Sequence, residues 1–510
     1  MNLLKLFFAS CFVLPLSTVP QLRGDAPDTP ETASPYEVET ISVPEGIVLE
    51  VGGLAFREDG ALMATTRRGE IWTLMDGEWS RFASGLDEPL GIVVTGPNEV
   101  VVGQRPELTR IADTNGDGRA DRFETITDVW NYSGHMYEWT FGPVQDDEGN
   151  FWGALAYWFF ASERYDEPPY ADGDIALLLR RHIIPPEGYV PEPEPRYRGW
   201  VFKVTPEGEF VPWASGVRSP NGIGFNPEGD LFVTDNQGEY WGTSPVLHIE
   251  RGAFYGYPMG LLWDDRVHGD PTVIPMEELR GMRRVSGLLP PHGRMGQSPS
   301  EPLWDETGGA FGPFSGQMFL GDQMRGIVIR GALEKVDGVY QGAVFPFIDG
   351  FQSGNNRLAF APDGSLYVGQ TDRGWSAVGG ERFGLQRVVW DGTLPMEIHT
   401  MSLTEDGFEL TFTKPVDPEL ASDPDRYSMA HFHYHYHRRY GSPQVDRTSV
   451  EVESASVSAD GKTVTLVLPE LVPEKIYELR LDGIASSGGT PVLNPEAYYT
   501  LNRLLPDEEG

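Results

Sequence analysis

The sequence predicts an all-β protein: a six-bladed β-propeller, with seven blades as the alternative, followed by a C-terminal β-sandwich of the immunoglobulin or fibronectin kind. Three observations support this prediction. The chain of 510 residues holds 60 Gly, 42 Pro, 26 Phe, 20 Tyr and 13 Trp, which suits many short strands joined by tight turns. A two-stranded module recurs over residues 37–392, and a different strand pattern begins at residue 393.

The recurring module consists of an apolar strand, a tight turn and a second apolar strand. Its turns are rich in Asp-Gly and Glu-Gly pairs, because glycine supplies the positive φ that a hairpin turn requires. Five copies lie at 53–66, 90–103, 139–154, 222–235 and 358–370, and a sixth is expected at 316–333. Four-stranded units that repeat every ~40–50 residues are typical of a β-propeller.

Two long insertions, 156–198 and 259–312, interrupt the regular spacing of the modules. Long loops in compact domains are usually functional, and these carry many aromatic residues, so we expect them to wall a pocket at one propeller face. Covering the propeller edges is the alternative.

Strict alternation of apolar residues marks strands after residue 393. This pattern predicts a β-sandwich over 393–504 and a tail over 505–510.

The N-terminus has the pattern of an export signal. Residues 1–22 combine one early lysine with an apolar run, as a signal peptide does, and residues 23–36 form a polar, proline-rich linker. The one cysteine, Cys11, lies inside the apolar run, with lipid attachment there as an alternative. The mature chain would then lack thiols for a disulfide, a zinc–thiolate site or a CxxCH haem. We therefore expect a periplasmic or secreted protein.

The charge balance excludes two classes of partner. The formal net charge is −37, so the chain lacks the basic footprint that displaces counterions from nucleic acids. Anionic membrane surfaces are disfavoured for the same reason. After the signal peptide, no segment has the ~18 uninterrupted apolar residues that a spanning helix needs. We expect neither a nucleic-acid partner nor a membrane span.

Residues 113–124, DTNGDGRADRFE, match the twelve-residue calcium loop at every ligand position. Gly118 stands at the sharp turn. The oxygen ligands would be the side chains of Asp113, Asn115, Asp117, Asp121 and Glu124 and the carbonyl of Arg119. Because the flanking segments are strand-like, we expect a calcium-stapled blade loop rather than a helix–loop–helix sensor. An acidic turn without a metal is the alternative.

Two further groups of residues could carry chemistry. His135 stands just before a blade strand, and histidine is the side chain best suited to proton transfer near neutral pH. Residues 217–258 contain several side chains with oxygen atoms and one cationic side chain, and together these suit a polar ligand or a second metal. That group comprises Arg218, Asn221, Asp235, Asn236, Gln237, Glu239 and Tyr255. The aromatic candidates for contact with a sugar are Tyr132, Tyr137, Trp139, Trp241 and Tyr255. The alternative for His135 is a structural histidine, and the alternative for residues 217–258 is ordinary turn chemistry.

The order of motifs resembles the soluble glucose and sorbosone dehydrogenases. These motifs are a histidine before Gly-Pro, the run RSPNGIGFNPEG, a Gln-Gly pair and FYGYP. The resemblance implies a six-bladed propeller that oxidises sugars with pyrroloquinoline quinone (PQQ) and calcium. Over nearly the whole mature chain, FGPFSGQMFLGDQ, NNRLAFAPDGSLYVGQTDRGW, YGSP and AYYTLN are similar to propeller-plus-sandwich proteins of planctomycete-type bacteria labelled sugar-dehydrogenase-like.

If the residue roles of the family are transferred to this sequence one by one, the resemblance implies that His135 is the base that removes the sugar hydroxyl proton. Arg218 would position the cofactor, and Asn221 and Arg357 would also contact it, Arg357 as an approximate carboxylate-binding arginine. Gln237, with the carbonyl region of Gly238 and Glu239, would hold the cofactor calcium.

Some residues depart from the family pattern. Met324 stands where the family has a cofactor lysine, and Ser219 replaces an asparagine beside Arg218. The spacing from His135 to Gly142-Pro143 is one residue shorter than in the family, and Arg357 is also displaced by one residue from the family position. PQQ carries several carboxylates, so the missing lysine weakens its expected site.

Three functions are therefore open. The first is a PQQ- and calcium-dependent sugar oxidoreductase that passes electrons to an external acceptor. The second is a cofactor-independent sugar lyase or lactonase, in which His135, Tyr132 or Tyr137, and Arg218 act as base, acid and carboxylate neutraliser. The third is a non-catalytic glycan-binding or assembly module.

The run HFHYHYH places four histidines at alternating positions, 431, 433, 435 and 437. Alternate side chains on a strand share a face, so the histidines would face one way and the aromatic residues the other. A pair of such histidines chelates zinc or copper only with a third ligand from elsewhere. We expect a two-faced structural strand, with metal binding or a partner surface as alternatives.

Overall fold

The computed structural model describes residues 34–132, 137–157, 195–268 and 271–506, and the described chain is built mainly from antiparallel β-sheets. The strands of the first part are β1 (Tyr36–Thr40), β2 (Val51–Phe56), β3 (Leu62–Thr66), β4 (Glu70–Met75), β5 (Glu78–Ser84), β6 (Ile92–Gly96), β7 (Glu99–Gly103), β8 (Leu108–Ala112), β9 (Arg122–Thr127), β10 (Thr140–Gln145), β11 (Phe151–Leu155), β12 (Trp200–Val204), β13 (Phe210–Ser215), β14 (Gly222–Phe225), β15 (Leu231–Thr234), β16 (Val246–His248), β17 (Pro299–Trp304), β18 (Met318–Asp322), β19 (Ile327–Val336), β20 (Val339–Ile348), β21 (Asn355–Phe360), β22 (Leu366–Thr371) and β23 (Phe383–Trp390).

These strands form a β-propeller. Within the described ranges they make six sheets, β2–β5, β6–β9, β10–β13, β14–β16, β17–β20 and β21–β23 with β1. The first strands of the six sheets contact one another in chain order, and β21 contacts β2, which closes the circle. The N-terminal strand β1 pairs with β23 along its whole length, so the two ends of the ring are joined within one sheet.

Glycine allows the inner strands to approach closely. A Cβ atom on Gly91 would lie 2.3 Å from the carbonyl oxygen of Gly142, so these two segments touch through their backbones. Hairpin turns use glycine differently. Gly60 has φ +87°, a left-handed conformation that side chains with a Cβ rarely adopt, and it follows the Asp59 that caps the β2–β3 turn.

One expectation about the insertions is wrong. The range 259–312 was expected to lie outside the strands of the ring, yet β17 lies inside it and is the first strand of its sheet. Pro299 and Pro302 obscured this strand, because proline cannot donate to a sheet; the structure accommodates them at a register shift against β18. Helix α1 (Met276–Met282) and 3₁₀ turns at Pro258–Trp263 and Pro271–Val273 occupy the part before β17. Most of the other insertion, 158–194, is outside the described residues.

The C-terminal part is a β-sandwich that shares a sheet with the propeller. Its elements are β24 (Ile398–Leu403), β25 (Gly407–Phe412), α2 (Pro418–Ala421), a 3₁₀ turn at Pro424–Arg426, β26 (Tyr427–His433), β27 (Val445–Val450), β28 (Ser454–Val457), β29 (Thr463–Val467), β30 (Lys475–Leu481) and β31 (Glu496–Leu501). One sheet has the order β24-β25-β29-β28. The other continues the fifth propeller sheet, because β31 pairs with β20 and is followed by β30, β26 and β27.

The histidine run behaves as a two-faced segment, although β26 ends at His433. Phe432 and Tyr436 are buried, whereas His435 is exposed. The Tyr436 hydroxyl donates to the carbonyl of Gly256, so the aromatic face packs against the propeller. No group of three His, Cys, Asp or Glu side chains that could hold a metal occurs among the described residues. Nor does any helix among them have the length and apolarity needed to cross a membrane.

Glu397 leads to a prediction about pH. Its side chain is buried near Arg330 and accepts hydrogen bonds from the side chain and backbone of Asn494. Burial raises its pKa to about 7 from an ordinary 4.5. A raised pKa stabilises the fold below pH 4.5, and that stabilisation is lost as the pH rises through 7. The loss corresponds to about 3 kcal/mol.

We therefore expect Glu397→Gln to match the wild type in free energy of unfolding at pH 5 and to exceed it at pH 9 by up to about 3 kcal/mol. Denaturant titrations at the two pH values measure this. The exposed Glu405→Gln is the matched control and should follow the wild type at both. Parallel curves for Glu397→Gln and the wild type would refute the assignment of a neutral buried carboxyl.

Candidate functional site

One end of the ring collects the residues that could act on a ligand. In each sheet the first two strands are antiparallel, so the start of the first strand and the end of the second lie at the same end. Residues at these positions from all six sheets line a small central cavity of about 10 Å³. They are Arg67, Leu90, Trp139, Phe141, Ser219, Asn221, Asn236, Gln323, Asn356 and Trp375.

The central cavity has unsatisfied polar walls. Among its buried atoms, Trp139 Nε1, Asn221 Nδ2 and Asn236 Oδ1 have no hydrogen-bond partner within the described residues. Its volume is about that of one water molecule, and a buried water needs two to four polar partners. The cavity therefore suits one water molecule or one hydroxyl group of a ligand.

A larger charged pocket of about 490 Å³ opens beside this cavity and shares Arg67 with it. We call it the arginine pocket. Its lining comprises the guanidinium groups of Arg67, Arg68, Arg105 and Arg373 with Leu86, Asp87, Glu88 and Tyr132. Each arginine follows the second strand of a sheet by one to two residues: Arg67 and Arg68 follow β3, Arg105 follows β7 and Arg373 follows β22.

Glu88 organises the arginine pocket. Its carboxylate accepts hydrogen bonds from Nε of Arg67 and Nε of Arg105, both at 2.8 Å, and from Nε of Arg373 at 3.3 Å. Its backbone has φ +48°, a conformation that only the surrounding structure can impose on a glutamate. Burial raises the pKa of Glu88, but the charges of Arg67 and Arg105 outweigh that effect, and the pKa lies below its ordinary value. Glu88 is therefore charged and unites three sheets of the ring.

Three aromatic rings stand next to the arginine pocket, and we call them the aromatic wall. Tyr137 and Trp375 are stacked with ring centroids 5.8 Å apart, and Trp139 meets the Tyr137 ring edge-on at 5.3 Å. The Arg67 guanidinium carbon lies 5.2 Å from the Trp139 ring centroid. Behind the wall, the buried Arg198 donates to the carbonyl of Trp139. The wall and the pocket are thus joined through Arg67.

Three of the predicted sugar contacts lie at this surface and two do not. Tyr137 and Trp139 belong to the aromatic wall, Trp139 as its buried member at 5% exposure, and the Tyr132 hydroxyl lies 3.3 Å from Arg105 Nη1. Trp241 and Tyr255, in contrast, share a hydrophobic core cluster and are 2% and 0% exposed. The Tyr255 hydroxyl donates to the His248 carbonyl and accepts from the Glu250 N–H. These two aromatic residues hold the fold together. His135, which was predicted as the base, lies outside the described residues.

The residues that the resemblance assigns to the cofactor are engaged with one another. Arg218 is paired with Glu239, at 2.9 Å from Nε and 2.7 Å from Nη2, and both side chains are 4% exposed. Gln237 Nε2 donates to the Gly242 carbonyl. The Gly238 carbonyl, expected as a calcium ligand, already accepts the N–H groups of Trp241 and Gly441.

A segment of the sandwich, 434–442, covers this group. Its backbone bonds to residues 238–242 at three places, and the Tyr440 ring lies 5.4 Å from the Arg218 guanidinium. A second predicted pair is equally enclosed: Arg357 donates to the Asn221 side chain and to the Leu90 carbonyl, and burial lowers its pKa to about 10. The residues present at this position therefore do not fit the cofactor and calcium that the resemblance implies.

The predicted calcium loop forms the turn between β8 and β9, as its strand-like flanks suggested. Both oxygens of Asp113 accept backbone N–H groups of the loop, from Gly116 and Gly118, and Asp121 accepts from Thr114. Glu124 pairs with Arg122 on the same strand. Among the residues with defined positions, no three metal-binding side chains converge here. Calcium binding at 113–124 remains a prediction from the spacing of the ligands.

Calcium binding at this loop has a measurable consequence. A ligand that binds only the folded state raises the free energy of unfolding, by about 2.7 kcal/mol at one hundred times its dissociation constant. We expect millimolar calcium to raise Tm and Asp117→Ala, which removes one carboxylate, to abolish the rise. Magnesium and Asp147→Ala, an acidic turn residue outside the loop, are controls. An identical calcium response of Asp117→Ala and the wild type would exclude the loop as the site.

The opposite end of the ring holds a wider opening of about 700 Å³. The ends of the first strands line it, largely with apolar side chains such as Phe56, Phe225 and Phe360, together with the carboxyl groups of Glu301 and Glu306. Burial raises the pKa of Glu301 to about 7. This opening is larger, but it lacks the convergent cations and stacked rings of the arginine pocket. We therefore place the candidate site at the arginine end.

No family model matches the chain, and no curated protein matches it. Solved structures resemble it over about two thirds of its length. A Thermus thermophilus protein ascribed to the glucose dehydrogenases is 20% identical and has a TM-score of 0.48, covering 69% of this chain and 100% of its own. The PQQ-bound aldose sugar dehydrogenase of Streptomyces coelicolor is 14% identical, with a TM-score of 0.44 and coverage of 69% and 98%.

The soluble aldose sugar dehydrogenase of Escherichia coli, in its apo form, is 16% identical with a TM-score of 0.45, covering 70% of this chain and 99% of its own. These proteins are of the class that the sequence motifs resemble. At such identities the likeness concerns the fold and does not assign an activity to this chain.

Proposed function

We propose that this protein is an exported carbohydrate-acting enzyme of the sugar dehydrogenase type, and that its active face is the arginine end of the ring. The supporting observation is the aromatic wall beside the arginine pocket. A sugar presents apolar ring faces and polar hydroxyl groups, and stacked aromatic rings next to hydrogen-bond donors satisfy both. The resemblance in the sequence motifs points to the same substrate class.

The cofactor part of the proposal is limited by the closed group around Arg218. PQQ, when bound to an enzyme, accepts the hydride of a sugar, and calcium polarises it. Because Arg218, Gln237 and Gly238 are engaged within the fold, we assign no step to the quinone at that position. An oxidation would still require an electron acceptor outside the protein.

His135 is the proposed proton acceptor. Sugar oxidation and sugar elimination both begin with the loss of a proton, and histidine is the side chain whose ordinary pKa lies nearest neutral pH. Its chain neighbours support the choice, because Tyr132 lies at the arginine pocket and Tyr137 in the aromatic wall. The half-buried Tyr137 and Trp375 would orient the sugar ring, with the buried Trp139 packed against them, and the central cavity would accept one of its hydroxyl groups.

The oxidoreductase is tested by dye reduction with a panel of neutral and acidic sugars. The protein is assayed as purified and after addition of PQQ and calcium. Sugar-dependent reduction under either condition supports the proposal, and its absence under both contradicts it. Reduction that appears only with PQQ would show that the quinone binds in spite of the Arg218–Glu239 pair.

One contact favours a second chemistry, a lyase or lactonase that needs no cofactor. Tyr132 lines the arginine pocket, with its hydroxyl 3.3 Å from Arg105 Nη1, so the tyrosine could donate a proton there while Arg373 at the same pocket neutralises a sugar carboxylate. Arg373 would then take the role predicted for Arg218. An absorbance rise from unsaturated uronate products, or lactone hydrolysis without added cofactor, would identify this activity. Binding without any turnover, undisturbed by His135→Ala, would instead indicate a glycan-binding module.

A further inference from the structure

We propose that the arginine pocket binds the carboxylate group of an acidic sugar, so that the protein prefers uronates to neutral sugars. This inference rests on the proposed function, because it takes a carbohydrate as the ligand. It adds the chemical class of that carbohydrate and the residues that select it.

The local charge supports an anionic ligand. The whole chain carries a formal charge of −37, yet the pocket lining holds four guanidinium groups against the carboxylates of Asp87 and Glu88. Glu50 lies behind the lining and pairs with Arg68 and Arg373. When Glu50 is counted, one positive charge is still in excess. A cationic concavity on an acidic protein concentrates anions from solution.

The four arginines divide into a floor and a rim. Arg67 and Arg105 form the floor, with side chains only 5% and 9% exposed and bonded to Glu88. Arg68 and Arg373 form the rim, with side chains 45% and 36% exposed. The bonds of Arg373 to Glu50 and Glu88 are 3.3 Å long, whereas charge-assisted bonds are usually about 2.7–2.9 Å. Arg373 is therefore the arginine best able to turn toward a ligand.

The geometry favours a carboxylate attached to a ring. A guanidinium group presents paired N–H donors that match the two oxygens of a planar carboxylate. Trp375 is two residues from Arg373, and its ring is stacked on Tyr137 at the edge of the pocket. A uronate has its carboxylate one bond from the sugar ring, so its ring could meet the aromatic wall while the carboxylate meets Arg373.

Calorimetry on the full chain tests this inference, with glucuronate, glucose and glucose 6-phosphate as probes. We expect glucuronate to bind at least tenfold more tightly than glucose, and the difference to shrink as the salt concentration rises. Arg373→Gln should reduce the preference about tenfold without changing the affinity for glucose, and Arg68→Gln should act in the same direction. Circular dichroism verifies that both variants fold.

Arg382→Gln is the matched control. Arg382 also faces Glu50, at 3.8 Å, but its side chain is 69% exposed and does not line the pocket, so this variant should keep the wild-type preference. Equal affinity for glucuronate and glucose would overturn the inference, as would a preference that Arg373→Gln leaves intact. Tighter binding of glucose 6-phosphate than of glucuronate would also overturn it, because the pocket would then select phosphate.

The inference and the proposed function fail in different ways. A sugar that is turned over without preference for its acidic form would refute the inference and leave the proposed enzyme in place. Selective binding of glucuronate without turnover of any sugar would refute the enzyme and support the inference.

Discussion

Replacing Glu88 by alanine is expected to lower the free energy of unfolding by about 3–5 kcal/mol, the usual cost of leaving a buried charge without its partner. The side chains of Arg67 and Arg105 are almost wholly buried, and each directs two nitrogens at this one carboxylate. Without it, two like charges would face each other in a protein interior. Arg373 would also lose one of its two bonds to acidic side chains.

Denaturant unfolding at neutral pH measures the effect, and Asp87→Ala is the matched control. Asp87 is the preceding residue and lies 3.9 Å from Arg105, but its side chain is 49% exposed, so its loss should cost less than about 1 kcal/mol. The pKa of Glu88 lies below its ordinary value, so its contribution is present at neutral pH and fades as the pH falls through the folded-state pKa. A cost no greater than that of Asp87→Ala would contradict the role of Glu88.

Replacing His135 by glutamine is expected to lower turnover about 10²- to 10⁴-fold, the usual contribution of a general base, with little change in KM. Glutamine keeps a polar side chain of similar size but cannot accept a proton near neutral pH. The measurement is steady-state kinetics on the sugar that the panel identifies. A change confined to KM would assign His135 to binding rather than to proton transfer.

His435→Gln is the control for that experiment. His435 is exposed in the sandwich, within the histidine run at 431–437, and it belongs to neither the arginine pocket nor the aromatic wall. Its replacement should leave turnover unchanged. Loss of activity in this variant would return the histidine run to consideration as a functional site.

The repeats predicted the propeller because each module encodes its own hairpin. The module at 53–66 forms β2 and β3, joined at Gly60, and the alternating apolar residues after residue 393 lie in strands such as β25, β29 and β30. The pairing of strands that are distant in the chain could not be predicted from the modules. The sequence of β1 contains nothing that specifies β23, its partner roughly 350 residues later, and β17 was hidden by its two prolines.

The candidate site was predicted only in part, because its arginines come from three sheets that meet only in the folded chain. Tyr132, Tyr137 and Trp139 were found because they surround His135 in the sequence. Arg67, Arg105 and Arg373 were missed, although each stands just after a second strand of the repeat, in ATTRRG, VGQRP and GQTDRGW. An alignment of the modules with one another would have shown this shared position.

The enclosure of Arg218 could not be predicted for a different reason. Its motif fitted a cofactor site, but the segment that encloses it, 434–442, belongs to the sandwich, about 200 residues later in the chain. Nothing in the local sequence of either segment indicates that they meet.

The sheet shared by the propeller and the sandwich covers a strand edge of the propeller. Strand β20 is ten residues long, and β31 covers part of the edge that it would otherwise expose. A free edge of this length offers unpaired N–H and C=O groups to other chains, and its apolar side chains Ala343 and Phe345 lie in the sandwich core. The sandwich thus caps the edge strand of a blade, and we expect a propeller cut off at residue 392 to aggregate.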